Sequence, residues 1–314
     1  MTRTSYPAGP AFLTNAGLTI EMEGDWKATH EIEKVPFKTN LNGTVGHSRG
    51  TVVTKLAGKA VATSSNLAAL MAWLYPYSSG MVGQLIFPAV DVPAVIQTRD
   101  GRSVTYPASA ITKMPDASFA GNEDIFGEFE LTCLSAYMGD PTNPVDVVLE
   151  QASAYTPPAM DPLARLRAPY AVAWGSTAPF NAIQTSKAGV KFTAGVKLSP
   201  VEVDLFGRVN FRIEEVDASA KFNPMNLTSE DFFNFVLMAS ENAGIGRILG
   251  LDGQPLTVTS QEVGGPILTM PLAVPDQGPL GFDSKSRVGE VTLTGNRAST
   301  EGVIGNNYTL SVVA

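Results

Sequence analysis

An internal repeat limits what this chain can fold into more than any other feature of its sequence. The same small pair opens an apolar stretch near the start of each half, at Ala16-Gly17 and at Ala188-Gly189, an offset of 172 residues (188 minus 16). A Gly-Glu pair followed by alternating apolar residues closes each half, beginning at Gly127 and at Gly289, an offset of 162 (289 minus 127). A sequence that repeats the same order of elements predicts two similar structural units in tandem.

Between these markers, each half contains a strand, a short polar turn and a helix. The apolar spacing predicts helices over residues 67–74 and 229–238, because it places the large side chains of each segment on one face. Ser64 or Ser65 in the first half, and Thr228 with Asp231 in the second, can accept hydrogen bonds from the first amides of each helix. The sequence therefore predicts one flanking α-helix in each unit.

The composition indicates a mainly β (α+β) protein. The chain has 314 residues with 29 Gly, 22 Pro and only 17% charged residues, which is typical of a turn-rich β fold. At about 150 residues per domain, this length fits two domains. We place the first domain at residues 1–138, a proline-rich connector at 139–168 and the second domain at 169–314.

The first half contains a long charged segment at about residues 24–50, which we interpret as a hairpin insertion. The corresponding connection in the second half, near residues 198–206, looks short, and this would account for the ten residues by which the two offsets differ. The segment forms either a contact surface or a solvated loop, and the sequence leaves both open. Its candidate contact residues are His30, Glu31, Glu33, Lys34 and Lys38.

No arrangement of residues in the sequence indicates catalysis. The only histidines are His30 and His47, and no further ligands stand at the spacing that a metal site needs. Residues 46–50 have the form G-x-S-x-G, but a polar segment precedes them and a strand follows, whereas a hydrolase elbow needs a strand before and a helix after. We therefore expect no enzyme activity, cofactor or metal. A net charge of −8 also argues against a protein that grips nucleic acid through its phosphates.

The closing strands place acidic side chains on one face of each sheet. Side chains alternate across a strand, so Glu128 and Glu130 share a face opposite Phe129 and Leu131. In the second half Glu290 and Thr292 occupy the equivalent polar face. That face is either an ordinary exterior or the lining of a water-filled lumen, in a ring to which each unit contributes one sheet.

This order of elements resembles the tail tube (major tail) proteins of long-tailed bacteriophages, in particular those with a duplicated tube domain. The resemblance rests on the AG opening strands, the long hairpin, the strand–turn–helix unit, Asp-Gly turns such as Asp100-Gly101, and the closing G-E-[FV]-x-L-T strands. It covers roughly residues 10–135 and 180–314. It implies two tandem β-sandwich or half-barrel domains, each with one flanking helix.

The resemblance also implies a function. Three chains would form a trimeric, pseudo-hexameric ring, and stacked rings would make the tube through which DNA is ejected without specific binding. The lumen would be lined by Glu128, Glu130, Glu290 and Thr292, and the hairpin would contact the next ring. The partners implied are further copies of the chain and the tape measure, baseplate and tail terminator proteins. The resemblance places the protein in the virion, assembled in the host bacterial cytoplasm, with no membrane partner.

Two other functions compete with this interpretation. A baseplate hub or distal tail protein, also built from two tube-like domains, would cap the tube without polymerising. A duplicated β-sandwich that binds a ligand such as carbohydrate would need an exposed aromatic platform, yet Trp26, Trp73 and Trp174 are scattered along the sequence.

Overall fold

The fold is mainly β, with two antiparallel eight-stranded sheets and one α-helix in the part of the chain that the structure describes. The structure is a computed structural model. It describes residues 11–63, 65–87, 92–98, 101–121, 124–135, 148–151, 169–203, 207–228, 231, 254–277, 289–297, 299–300 and 303–314.

The first sheet is built from the first half of the chain. Its strands are β1 (Ala11–Asn15), β2 (Leu18–Thr39), β3 (Gly43–Ala60), β4 (Ala94–Thr98), β5 (Arg102–Tyr106), β6 (Ala108–Lys113), β8 (Glu128–Leu134) and β9 (Val148–Gln151). They pair in the order β6-β8-β3-β2-β1-β4-β5-β9. β9 lies within the segment expected to be a connector, so that segment contributes a strand to the first sheet.

The second sheet takes all but one of its strands from the second half. It contains β10 (Tyr170–Trp174), β11 (Thr185–Val203), β12 (Gly207–Pro224), β13 (Gln254–Ser260), β14 (Pro266–Gln277), β15 (Val291–Asn296) and β18 (Thr309–Val312). The eighth strand is β7 (Ala117–Phe119), which the first half donates to the outer edge of β11. The order is β10-β13-β14-β15-β12-β11-β7, with β18 also on β14; β16 (Ser299–Thr300) and β17 (Val303–Ile304) form a separate pair.

Several strand pairings of the first sheet recur in the second, but β1 pairs with both β2 and β4, whereas β7 occupies the outer edge of β11 and β10 pairs with β13. In the second sheet, β14 pairs first with β13 and then with β15. In the first sheet these two pairings are divided between two strands: β5 pairs with β4, and β6 pairs with β8. Only Pro107 separates β5 from β6 along the chain. β9 pairs with the outer edge of β5, and in the second sheet β18 pairs with the start of β14. Each sheet also contains a long hairpin, β2–β3 or β11–β12.

The expectation that the second half has lost its long hairpin is wrong. β11 and β12 have 19 and 18 residues, against 22 and 18 for β2 and β3. Both hairpins reverse before a glycine with positive φ, Gly43 at 65° and Gly207 at 77°, a conformation that favours glycine. Backbone pairing between β11 and β12 continues through residues 198–203, from Leu198 opposite Ile213 to Val203 opposite Gly207.

The two hairpins also have the same register. Pro36 faces His47 in the first, and Pro200 faces Phe211 in the second, so positions correspond at an offset of 164 (211 minus 47). The Ala-Gly pairs are not equivalent, because Ala16-Gly17 forms the turn between β1 and β2 whereas Ala188-Gly189 lies inside β11. Their offset of 172 therefore does not measure a deletion.

The first flanking helix, α1 (Leu67–Leu74), is where the sequence predicts it, and Leu67, Leu70, Met71 and Leu74 are buried. Its N-cap is Asn66, whose side-chain oxygen accepts a hydrogen bond from the Thr63 amide at 2.8 Å. In the second half, Thr228 and Asp231 exchange side chain to backbone hydrogen bonds of 3.0 and 3.1 Å, as in a capping box. The rest of that expected helix, residues 232–238, lies outside the described residues.

Candidate functional site

The first hairpin (β2–β3) carries an unusual number of exposed apolar side chains. Ile32, Phe37 and Val45 are each more than half exposed, and Leu41 in the turn is 95% exposed. Single exposed apolar residues are ordinary, but a group on one projecting hairpin is typical of a surface that contacts another molecule.

Four of the five charged or polar residues expected to form a contact surface lie exposed on β2. Glu31, Lys34 and Lys38 are exposed, and so is His30, whose Nδ1 lies 2.9 Å from Thr54 Oγ1 on β3. The His30 ring also stacks beside Tyr106, with 6.3 Å between the ring centroids. The predicted ring-stacking role of these four residues stays a prediction.

Glu33, the fifth residue, is bound within the chain. One carboxylate oxygen accepts a hydrogen bond from the Arg208 backbone amide at 2.6 Å, and the other lies 3.5 Å from Arg208 Nη2. The Glu33 and Arg208 side chains are only 16% and 23% exposed. Glu33 therefore ties the first hairpin to the start of β12 in the second.

The second hairpin (β11–β12) is covered near its turn by the segment that follows α1, which we call the cover segment (residues 82–87). The amides of Gly83 and Ile86 donate to the carbonyls of Ile213 and Phe211 at 2.8 and 3.0 Å, and the Ile213 amide donates to Gln84 at 2.9 Å. Leu85 faces Arg212 as a β-bridge partner.

The side chain of Asn210 fixes this cover in place. Its amide oxygen accepts from the Phe87 amide at 3.2 Å, and its amide nitrogen donates to the Phe87 carbonyl at 3.3 Å. Asn210 is 2% exposed and the neighbouring Val209 is 1% exposed, so these hydrogen bonds lie in a buried part of the hairpin. Neither Asn210 nor Arg208 could be selected from the sequence, because their partners lie more than 100 residues away along the chain.

The face that was expected to be acidic carries both signs of charge. Glu128 is exposed, and Glu130 lies 3.4 Å from Lys55 and accepts a hydrogen bond from Thr112 at 3.1 Å. Lys59, which faces Glu128 across the ladder, lies 3.8 Å from Glu23. The acids of β8 therefore meet the lysines of β3 on this face.

The equivalent residues of the second sheet are placed differently from one another. Glu290 is exposed just before β15, while Thr292 is only 9% exposed on β15, between β12 and β14. Strict alternation puts Thr292 on the polar face, but most of its surface is removed from water. It does not present its hydroxyl to solvent as expected of a lumen residue.

An aromatic cluster joins the two halves. The Tyr308 hydroxyl, near the C-terminus, donates to the Tyr77 carbonyl at 2.9 Å, and the Tyr75 hydroxyl donates to Pro115 at 2.8 Å. The Phe192 and Tyr308 rings pack with centroids 5.2 Å apart. Burial is the main reason that the pKa of Tyr75 is well above its usual value, with smaller effects from Tyr308 and Asp116. These hydroxyls therefore stay neutral and serve packing.

The described residues show few features of a catalytic or metal-binding site. Among them, no three His, Cys, Asp or Glu side chains come together as a metal site would require. Cys133 is buried, and burial raises the pKa of its thiol, which suppresses the reactive thiolate. A cavity of about 720 Å³ lies between β10 and β11 beside Tyr170, whose pKa burial and Glu262 raise to about 12. Within the described ranges, no helix is both long and apolar enough to cross a bilayer.

Comparison with known proteins adds no identification, because neither the protein-family models nor the curated protein sequences contain a match to this chain.

Proposed function

We propose that the chain is a structural virion protein that assembles into stacked trimeric, pseudo-hexameric rings forming a phage tail tube. The observation that carries this proposal is that several strand pairings recur in both sheets and that each sheet contains a long hairpin. On this proposal the halves are tandem tube-like domains, each with a flanking helix. Six equivalent domains then close a ring from three chains.

The exposed apolar residues of the first hairpin support self-assembly. A stacked ring needs a surface that a neighbouring molecule covers, and Phe37 and Leu41 offer such a surface near the turn. Head-to-tail stacking does not close on itself, so it produces a filament. Lys34 and Lys38 are exposed on the same hairpin, where they can meet carboxylates of the next ring.

The β3–β8 face carries both signs of charge, so the proposed lumen is less acidic than Glu128 and Glu130 alone would make it. Lysines beside Glu128 and Glu130 reduce the net negative charge that those residues alone would give. DNA passage then depends on the balance of charges over the whole lining, since a strongly basic lining would hold the phosphates.

Electron microscopy in negative stain, across a concentration series with light scattering, tests this proposal. We expect hollow tubes with a regular ring repeat at high protein concentration. The variant Lys34→Glu/Lys38→Glu should form rings but shorter tubes, while Lys191→Glu/Lys221→Glu, an exposed pair that faces across β11 and β12, serves as the matched control. Isolated trimers that never polymerise would favour a baseplate hub, and a chain that stays monomeric at every concentration would overturn both functions.

A further inference from the structure

One face of the first hairpin carries three cations and no carboxylate, and we call it the basic face. Residues that pair across a ladder, or that alternate along one strand, share a face of the sheet. Six exposed residues share this face, in the pairs Lys34 with Arg49, Pro36 with His47, and Lys38 with Thr44.

The equivalent face of the second hairpin is apolar and covered. At the offset of 164, Lys34 corresponds to Leu198 and Arg49 to Ile213. Ile213 is 0% exposed, and its backbone pairs with the cover segment. A cover of that kind would leave the charges of the basic face buried and unpaired, which is costly. The basic face therefore fits a partner that brings carboxylates.

The second hairpin carries carboxylates on its outer face. Glu215 and Asp217 lie exposed there, opposite Lys197 and Gly195, and we call these two acids the acidic face. Lys197 is bound to the neighbouring Glu214, with 3.2 Å between the charged atoms. Within the described ranges, no ion pair reaches Glu215 or Asp217. The acidic face is thus complementary in charge to the basic face.

The two faces do not meet within one chain. No ion pair joins them among the residues that the structure describes. Lys34 follows Glu33, which is bound to Arg208. Asp217 lies nine residues further along β12 (217 minus 208), which is about 30 Å at the rise of a strand. A lysine side chain does not span that distance, so this complementarity can act only between chains.

We propose that the basic face of a chain in one ring docks on the acidic face of a chain in the next ring. Lys34 and Lys38 of one chain then meet Glu215 and Asp217 of the other. The proposal rests on the ring stacking proposed above and identifies the two surfaces that stack. Because the two surfaces differ, the contact is head to tail, and each ring keeps one free face of each sign for further growth.

A mixture of two charge-reversed chains tests this contact. The basic-face variant is Lys34→Glu/Lys38→Glu, and the acidic-face variant is Glu215→Lys/Asp217→Lys. Each alone should form rings but only short tubes, because like charges meet at every junction between rings. Rings of the two variants are prepared separately and then mixed. Alternating rings bring opposite charges together at every junction, so we expect tubes as long as those of the parent chain.

One control separates the sign of the charge from disturbance of the surface. Lys191→Glu/Lys221→Glu lies on the same side of the second hairpin as the acidic face and makes that surface more acidic. It should keep tubes at the length of the parent chain. Short tubes from this variant would contradict a junction that depends on charge complementarity.

A second control tests whether the position of the reversed acids matters. Glu262→Lys/Asp276→Lys reverses two exposed acids elsewhere in the second half. This variant should form tubes alone, and its rings should not lengthen the tubes of the basic-face variant. Restoration by this mixture would show that total charge, and not the acidic face, governs stacking.

The outcomes separate the contact from the function. Parent tubes without restoration in the mixture of the two charge-reversed variants would overturn the contact and leave the tube function standing. A parent chain that stays monomeric would overturn both. If that mixture gives only short tubes and the parent chain retains a duplex DNA fragment that the basic-face variant releases, the basic face binds nucleic acid and the proposed contact is again overturned.

Discussion

The two long hairpins, β2–β3 and β11–β12, pair their strands in the same register but differ in what surrounds them. Each turns at a positive-φ glycine, each sets a proline opposite the residue four positions past that glycine, and each has a bulge at a valine. The second hairpin is held by the cover segment and by Glu33, while the first is exposed over the equivalent positions. The environment of a strand in this molecule is therefore set by what the other half contributes.

The polar bonds that fix the second hairpin have no counterpart on the first. Asn210 binds both backbone groups of Phe87, but Gly46 stands at the equivalent position and has no side chain. Arg208 holds Glu33 through its amide and guanidinium, whereas Thr44 takes its place on the first hairpin. The contact between the cover segment and the second hairpin therefore combines main-chain pairing with side-chain hydrogen bonds from Asn210.

The largest expected difference between the hairpins is at the two bulge valines. Val209→Asp buries a carboxylate among apolar groups and should lower the free energy of unfolding by at least about 3 kcal/mol. Val45→Asp places the same group in water and should change it by less than about 0.5 kcal/mol. Denaturant unfolding of the two variants at a concentration below assembly measures both. Equal losses would show that the two positions are not as different as their exposure indicates.

The second prediction concerns the polar bonds of Asn210. Asn210→Ala leaves the buried amide and carbonyl of Phe87 without the side chain that binds them, which should cost about 2 kcal/mol. Gly46→Ala, at the matched position, adds a methyl group that meets no atom within 4 Å and should change stability very little. Thermal unfolding of both variants compares them. A destabilised Gly46→Ala chain would mean that the first hairpin is covered in the single chain.

The sequence predicts the elements of this fold better than their equivalences. The first helix and the closing strand β8 could be predicted because apolar spacing is a local signal. The second hairpin was misjudged because Pro200 and the turn after Val203 interrupt a pattern that the ladder nevertheless continues. The Ala-Gly pair at Ala188 misled the alignment of the halves, since a two-residue match says nothing about pairing partners.

The contacts that define the candidate site could not be predicted from one sequence. Glu33 was expected at a surface because its neighbours along β2 are charged, yet its partner Arg208 is 175 residues further along the chain. Thr292 was assigned to water by alternation alone, yet it is only 9% exposed. Contacts over such distances depend on the tertiary arrangement, which local periodicity does not contain.

The smallest expected effect separates Glu33 from Glu31 on the same strand. Glu33→Gln keeps an oxygen for the Arg208 amide but removes the charge opposite the guanidinium, so it should cost about 1 kcal/mol. Glu31→Gln, at an exposed position, should lie within about 0.5 kcal/mol of the parent chain. Unfolding at low and high salt measures the difference, which should shrink only slightly with salt because Glu33 and Arg208 are mostly buried. If Glu31→Gln proves the more costly variant, the first hairpin is not tied to Arg208, and its position relative to the second is set by other contacts.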